Sequence, residues 1–207
     1  PMRKICALAF CLAFLFASGT AYAKSWYENL SYEGDVQLTA GYSYFSASLD
    51  NGEYKQTSNG FLLGLENHNF WCVTDFFFFG FMESVDLGVD CAEEESMSLT
   101  FLFAPAVGFH INYDIDINLA FGPVLGIGAL SVDGTEDIDF SWDGIGCGAD
   151  LQVKFFSNHL FSPVLGFAWS HLIGDEATME INGHDEDVDM KSATDVFKVY
   201  AGLSLNF

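Results

Sequence analysis

Apolar and polar residues alternate along most of this chain with a period of two. The last eleven residues, Phe197 to Phe207, show it most clearly. Phe197, Val199, Ala201, Leu203, Leu205 and Phe207 fall on one face, with Lys198, Tyr200, Gly202, Ser204 and Asn206 between them. That period is the signature of a β-strand with one greasy and one mostly polar face. Seven earlier stretches follow the same rule: about 35–45, 60–66, 71–82, 98–111, 117–130, 140–155 and 160–171. Asn67-His68-Asn69, 112–116 and 157–159 read as short turns, whereas 46–59, 84–97, 131–140 and 172–194 read as long loops. Strand three resists a phase assignment. Putting Phe77, Phe79 and Phe81 outward also puts Asp75 outward, unless a bulge or an interfacial position intervenes.

The faces differ in more than polarity. Bulky Phe, Leu and Ile residues share one face, while the other carries Asp35, Glu66, Asp150, Gln152, Lys154 and Lys198 among glycines and alanines. A soluble ligand-binding barrel would place its apolar residues inside. An eight-stranded barrel has little interior room, so the small, charged face points inward and the bulky face outward, toward lipid. The pattern predicts an all-β fold, an eight-stranded antiparallel up-and-down transmembrane β-barrel.

Composition sharpens this picture at three points. Arg3 and Lys4, the apolar run Ile5–Phe16 and the small-x-small triplet Ala21-Tyr22-Ala23 form a cleavable export signal over 1–23, leaving 24–207 as one barrel domain. That domain sets 29 acids against five lysines and no arginine, a balance that excludes a nucleic-acid partner. Eighteen of those acids lie in the four long loops. Its three cysteines, Cys72, Cys91 and Cys147, lack metal-site spacing and read as free thiols.

The export signal, eight alternating strands, alternating short and long connections and terminal Phe207 together resemble the small outer-membrane β-barrel proteins of the OmpA transmembrane-domain, OmpX and OmpW type. The resemblance implies a monomer in outer-membrane lipid, in the bacterial outer membrane. It also implies that barrel-assembly machinery reads Phe207, with Leu205 and Leu203, as an insertion signal. Because the chain ends at the last strand, no peptidoglycan-binding domain is expected to follow.

Candidate chemistry is sparse. The phrase F-x-P-x-[VL]-G-[FI] recurs around Pro105, Pro123 and Pro163. Proline cannot donate to a strand ladder. A turn symmetric about Asp114 sets Pro105 directly opposite Pro123, and the OmpW resemblance implies a lateral opening there. Buried Lys154 and Lys198 need partners, and Lys154 is expected to pair with Glu66, Asp35 or Asp150; by resemblance such pairs act as a plug or gate. Asp185, Asp187 and Asp189 have calcium-loop spacing, but Met190 and Val196 stand where such a loop needs Gly and Glu, leaving only loose binding of divalent cations. Ser170 and His171 fall on opposite faces and cannot cooperate in catalysis. Two functions follow: a non-enzymatic surface or interaction protein with acidic loops and no cofactor, or a narrow channel for small apolar solutes.

Overall fold

The computed structural model describes residues 31–49, 54–90, 96–132, 138–174, 177–181, 184–188 and 192–207. Ten strands occupy these segments: β1 (Ser31–Leu49), β2 (Tyr54–Cys72), β3 (Phe77–Asp90), β4 (Ser96–Asn112), β5 (Ile115–Val132), β6 (Ile138–Phe155), β7 (Phe161–Gly174), β8 (Ala177–Ile181), β9 (His184–Val188) and β10 (Ser192–Asn206). β1 to β7 each pair with their chain neighbours, β7 pairs with β10, and β10 pairs with β1. Eight antiparallel strands therefore close on themselves, leaving no edge. Closure is what a chain in hydrocarbon requires, because water cannot satisfy an open edge there. The export signal at 1–23 lies outside the described residues.

The barrel closes where Phe207 meets Gly34: each backbone N–H donates to the other's carbonyl, at 2.9 and 3.1 Å. The alternation read from Phe197–Phe207 is the alternation seen. Tyr200 and Ser204 are buried, whereas Val199, Leu203, Leu205 and Phe207 are exposed. Leu38, Phe61, Leu63, Phe103, Phe121, Leu125, Ile145 and Leu165 continue the exposed apolar face around the barrel. A surface this greasy around the closed barrel cannot face water.

Several expected boundaries move. Asn67-His68-Asn69 is not a turn; it continues β2, and the connection to β3 is the bend at 73–76. Its Thr74 hydroxyl oxygen accepts from the Phe77 backbone N–H at 3.0 Å. Asp75 sits exposed in that bend, which settles the phase: Phe79 and Phe81 face outward, while Phe78 and Met82 face inward. The expected loop at 84–97 is mostly strand, since β3 runs to Asp90. The other long loops shrink likewise, because β1 reaches Leu49, β5 reaches Val132 and β7 reaches Gly174. Within the fourth, β8 takes over from β7 in pairing with β6, moving from Ile145↔Ile173 to Trp142↔Ala177, and folds back on β9.

The inner face is less polar than its sequence suggests. Phe70, Phe78, Met82, Leu102, Val124 and Leu172 pack with Ala104, Ala106 and Ala120 in one buried cluster. Tyr200 lies against Gly166, where a Cβ would overlap its ring, so only glycine lets the phenol cross the lumen here.

Candidate functional site

Each of the eight strands that close the barrel contributes one residue in two to the lumen, so charges far apart in sequence meet there. Asp35, Glu66, Asp150, Lys154 and Lys198 are all buried. Of the acids open to it, Lys154 takes Asp35, with Nζ donating at 2.8 Å, and also reaches Asn206 at 3.3 Å. Asp35 meets His68 Nδ1 at 3.2 Å and accepts from Gln37 Nε2 at 2.9 Å. Gln37 also donates to Gln152 Oε1 at 2.8 Å. Gln152 Nε2 in turn donates to Glu66 at 2.9 Å and to the Tyr200 hydroxyl at 3.1 Å, and that hydroxyl donates to Asp150 at 2.7 Å. Lys198 pairs with Asp86.

Five strands thus meet across the lumen in one polar plug. The void beside Asp86 and Lys198, which Ser170 also lines, measures about 20 Å³. That is room for about one water. Buried ion pairs of this kind add little net stability, yet each partner is costly to remove alone.

At the short-turn end the lumen opens into a cavity of about 820 Å³, lined by Glu33, Asp35, His110, Asp116, Lys154 and Phe207 among others. Nδ1 of His110 lies 2.7 Å from the buried Asp116 carboxylate. Its Nε2 lies 4.0 Å from Cys72 Sγ. Cys72 and Cys147 are free thiols; Cys91 lies outside the described residues.

The prolines do not sit opposite each other. Leu102↔Val124 and Ala106↔Ala120 flank them, which sets Pro105 across from Phe121 and Pro123 across from Phe103. The two-residue offset arises at the tight 113–114 turn, with the register shift at His110/Asn112. The β4–β5 ladder lacks its pairs between Leu102↔Val124 and Ala106↔Ala120. Those three missing pairs are the ones lost when both proline nitrogens face this seam. The strands still touch there, because a Cβ on Gly122 would come within 2.5 Å of the Phe103 carbonyl oxygen. Pro163 lies opposite Leu203 in an intact β7–β10 ladder.

The remaining expected positions scatter. Leu203, Leu205 and Phe207 line the outer face of the last strand. Asp185 and Asp187 belong to extended β9, not to the curved loop a calcium site needs, and Asp189 lies outside the described residues. His171 shares Asp195 with Trp169, at 3.0 and 3.2 Å, on the face opposite Ser170.

Sequence reasoning missed Asp86, which it placed in a loop, and His68, which it placed in a turn. Gln37 and the cluster of Glu33, Cys72 and His110 also escaped it. Val85, Leu87 and Val89 alternate around Asp86 and carried the needed signal. The cluster had none, since its members come from three different strands.

A closed eight-stranded antiparallel barrel with a lipid-type exterior and a filled polar lumen is a transmembrane β-barrel of the outer-membrane class. Solved structures of that class share the fold. Neisserial surface protein A superposes with a TM-score of 0.52 at 13% identity, over 83% of this chain and 97% of that one. A major outer membrane protein from Thermus thermophilus gives 0.53 at 11% identity, over 84% and 99%. No protein-family model and no curated protein sequence matches the chain.

Proposed function

We propose that this chain is a non-enzymatic protein of the bacterial outer membrane, acting at the surface through the acidic segments of its long-loop end. Residues 1–23 direct its export. Barrel-assembly machinery reads Phe207, Leu205 and Leu203 during insertion, and the mature barrel stands as a monomer in outer-membrane lipid. Divalent cations are the partners its loop acids suit, and nucleic acid is excluded by charge.

The observation that carries this reading is the filled lumen. The lumen beside the Asp86–Lys198 pair leaves about 20 Å³, which supports a barrel closed to solutes. Reconstituted in liposomes, the protein is expected to pass neither sugars nor small apolar solutes. Sugar-driven swelling above protein-free vesicles would overturn the closed barrel. Calorimetric heat with millimolar Ca²⁺, lost when the loop acids are amidated, supports the cation partners; no heat removes them.

One observation favours a second reading, a narrow channel with a lateral exit for apolar solutes. The seam at Pro105 and Pro123 lacks three successive pairs in a wall that is otherwise laddered there. Selective uptake of an apolar solute, abolished by Pro105→Ala/Pro123→Ala, would establish this second reading in place of the first.

A further inference from the structure

We propose that the short-turn mouth of the barrel holds a borderline divalent metal ion, Zn²⁺ by its donor set, on Glu33, Cys72 and His110. A carboxylate oxygen of Glu33, the Cys72 sulfur and a ring nitrogen of His110 all lie within 4.8 Å of one another. Tetrahedral zinc bonds of about 2.3 Å to sulfur and about 2.0 Å to nitrogen set an S···N edge of about 3.5 Å. The observed Cys72 Sγ to His110 Nε2 distance is 4.0 Å, so a side-chain adjustment of about half an ångström completes the geometry.

A second feature points the same way. His110 Nδ1 is held at 2.7 Å by Asp116, which is itself buried. A carboxylate on Nδ1 fixes the tautomer that leaves Nε2 bare toward the cysteine, the arrangement that orients a zinc-binding histidine. Phe78, with its ring centroid 4.7 Å from the imidazole, walls off one side.

The barrel architecture explains how the cluster forms. Glu33, Cys72 and His110 lie among the last lumen-facing positions of β1, β2 and β4 at this end. β3 begins only at Phe77, and the His110 backbone N–H donates to the Phe76 carbonyl at 2.9 Å, bringing β4 up to the bend. Lys154 shares the cavity, but its ammonium is held by Asp35 at 2.8 Å. Three protein ligands leave a fourth position for water, facing the cavity.

The test uses the barrel purified in detergent under a non-chelating reductant, with Zn²⁺ affinity read by chelator competition and Co²⁺ as an optical probe. One equivalent of Co²⁺ is expected to give a thiolate-to-cobalt charge-transfer band. Cys72→Ser abolishes that band, and Cys91→Ser/Cys147→Ser keeps it. His110→Ala removes one-to-one Zn²⁺ binding, while Asp116→Asn weakens it about 10- to 100-fold, as loss of an orienting partner does. Affinity falls on acidification, as protons compete for sulfur and imidazole. The proposal is overturned if the band survives Cys72→Ser, or if His110→Ala, shown folded by its gel mobility, binds Zn²⁺ as wild type does. Neither result depends on whether the barrel conducts.

Discussion

Replacing Lys198 by Met asks how the lumen is held. Lys198 and Asp86 are 7% and 3% exposed, and the void beside them admits about one water, so neither charge is rehydrated when its partner is lost. At a contact of about 3 Å and an effective dielectric near 20, their attraction is about 5–6 kcal/mol. Most of that offsets desolvation, so breaking the pair is expected to cost about 3–5 kcal/mol. The two ends of the pair are not equivalent. Lys198 also feels Asp150 and Glu66, so removing it leaves three carboxylates facing one another, whereas removing Asp86 leaves the ammonium with two acids nearby. Lys198→Met is therefore expected to cost more than Asp86→Asn, and Asp86→Leu/Lys198→Met to recover part of the loss, since an apolar pair of similar volume replaces the ion pair at little net cost while Asp150 and Glu66 still lack the cation. Reversible urea unfolding in lipid vesicles, followed by tryptophan fluorescence, gives the cycle. The reasoning fails if Asp86→Asn is the more damaging change, or if the double variant loses the sum of the single costs.

Two further outcomes follow from the barrel wall. Pro105→Ala and Pro123→Ala each restore an N–H at the β4–β5 seam and are expected to add about 0.5–1.5 kcal/mol; hydrogen exchange should show new protected amides at 105 and 123, and fast exchange there would show that the prolines face elsewhere. Phe207→Ala trims a lipid-facing ring, so refolded stability is expected to fall by about 1–2 kcal/mol, while the amount of barrel assembled in cells falls; equal assembly would refute a signal role for Phe207.

The barrel was legible in the sequence because a period of two is all that a closed wall demands of each strand. Where that period is masked, the reading slipped. Phe76 to Phe79 is apolar on both faces, so it carries no phase, and the polar Asn67-His68-Asn69 reads as a turn although a barrel lumen accepts polar residues in mid-strand. The same bias toward treating acids as solvated put Asp86 in a loop and hid the partner of Lys198. The proline register failed by two residues because turn geometry, not strand composition, sets it. Glu33, Cys72 and His110 meet only through strand pairing, which no local spacing encodes.

The distribution of donors gives the two ends of the barrel different chemistry. The buried residues include five carboxylates but two lysines, so the lumen carries the same sign as the long loops. A closed negative column attracts cations to either mouth, but the ligands there are not alike. The sequence of the long-loop end is rich in carboxylates, a donor set suited to hard ions held weakly and through water. The short-turn end offers a thiol and an imidazole already braced by a buried carboxylate, suited to a borderline ion held directly. The paired lumen charges lie between the two mouths, and the two ends share no protein ligand. Calcium at the loops and zinc at the Cys72–His110 cluster should therefore bind independently, and saturating one should leave the affinity for the other unchanged.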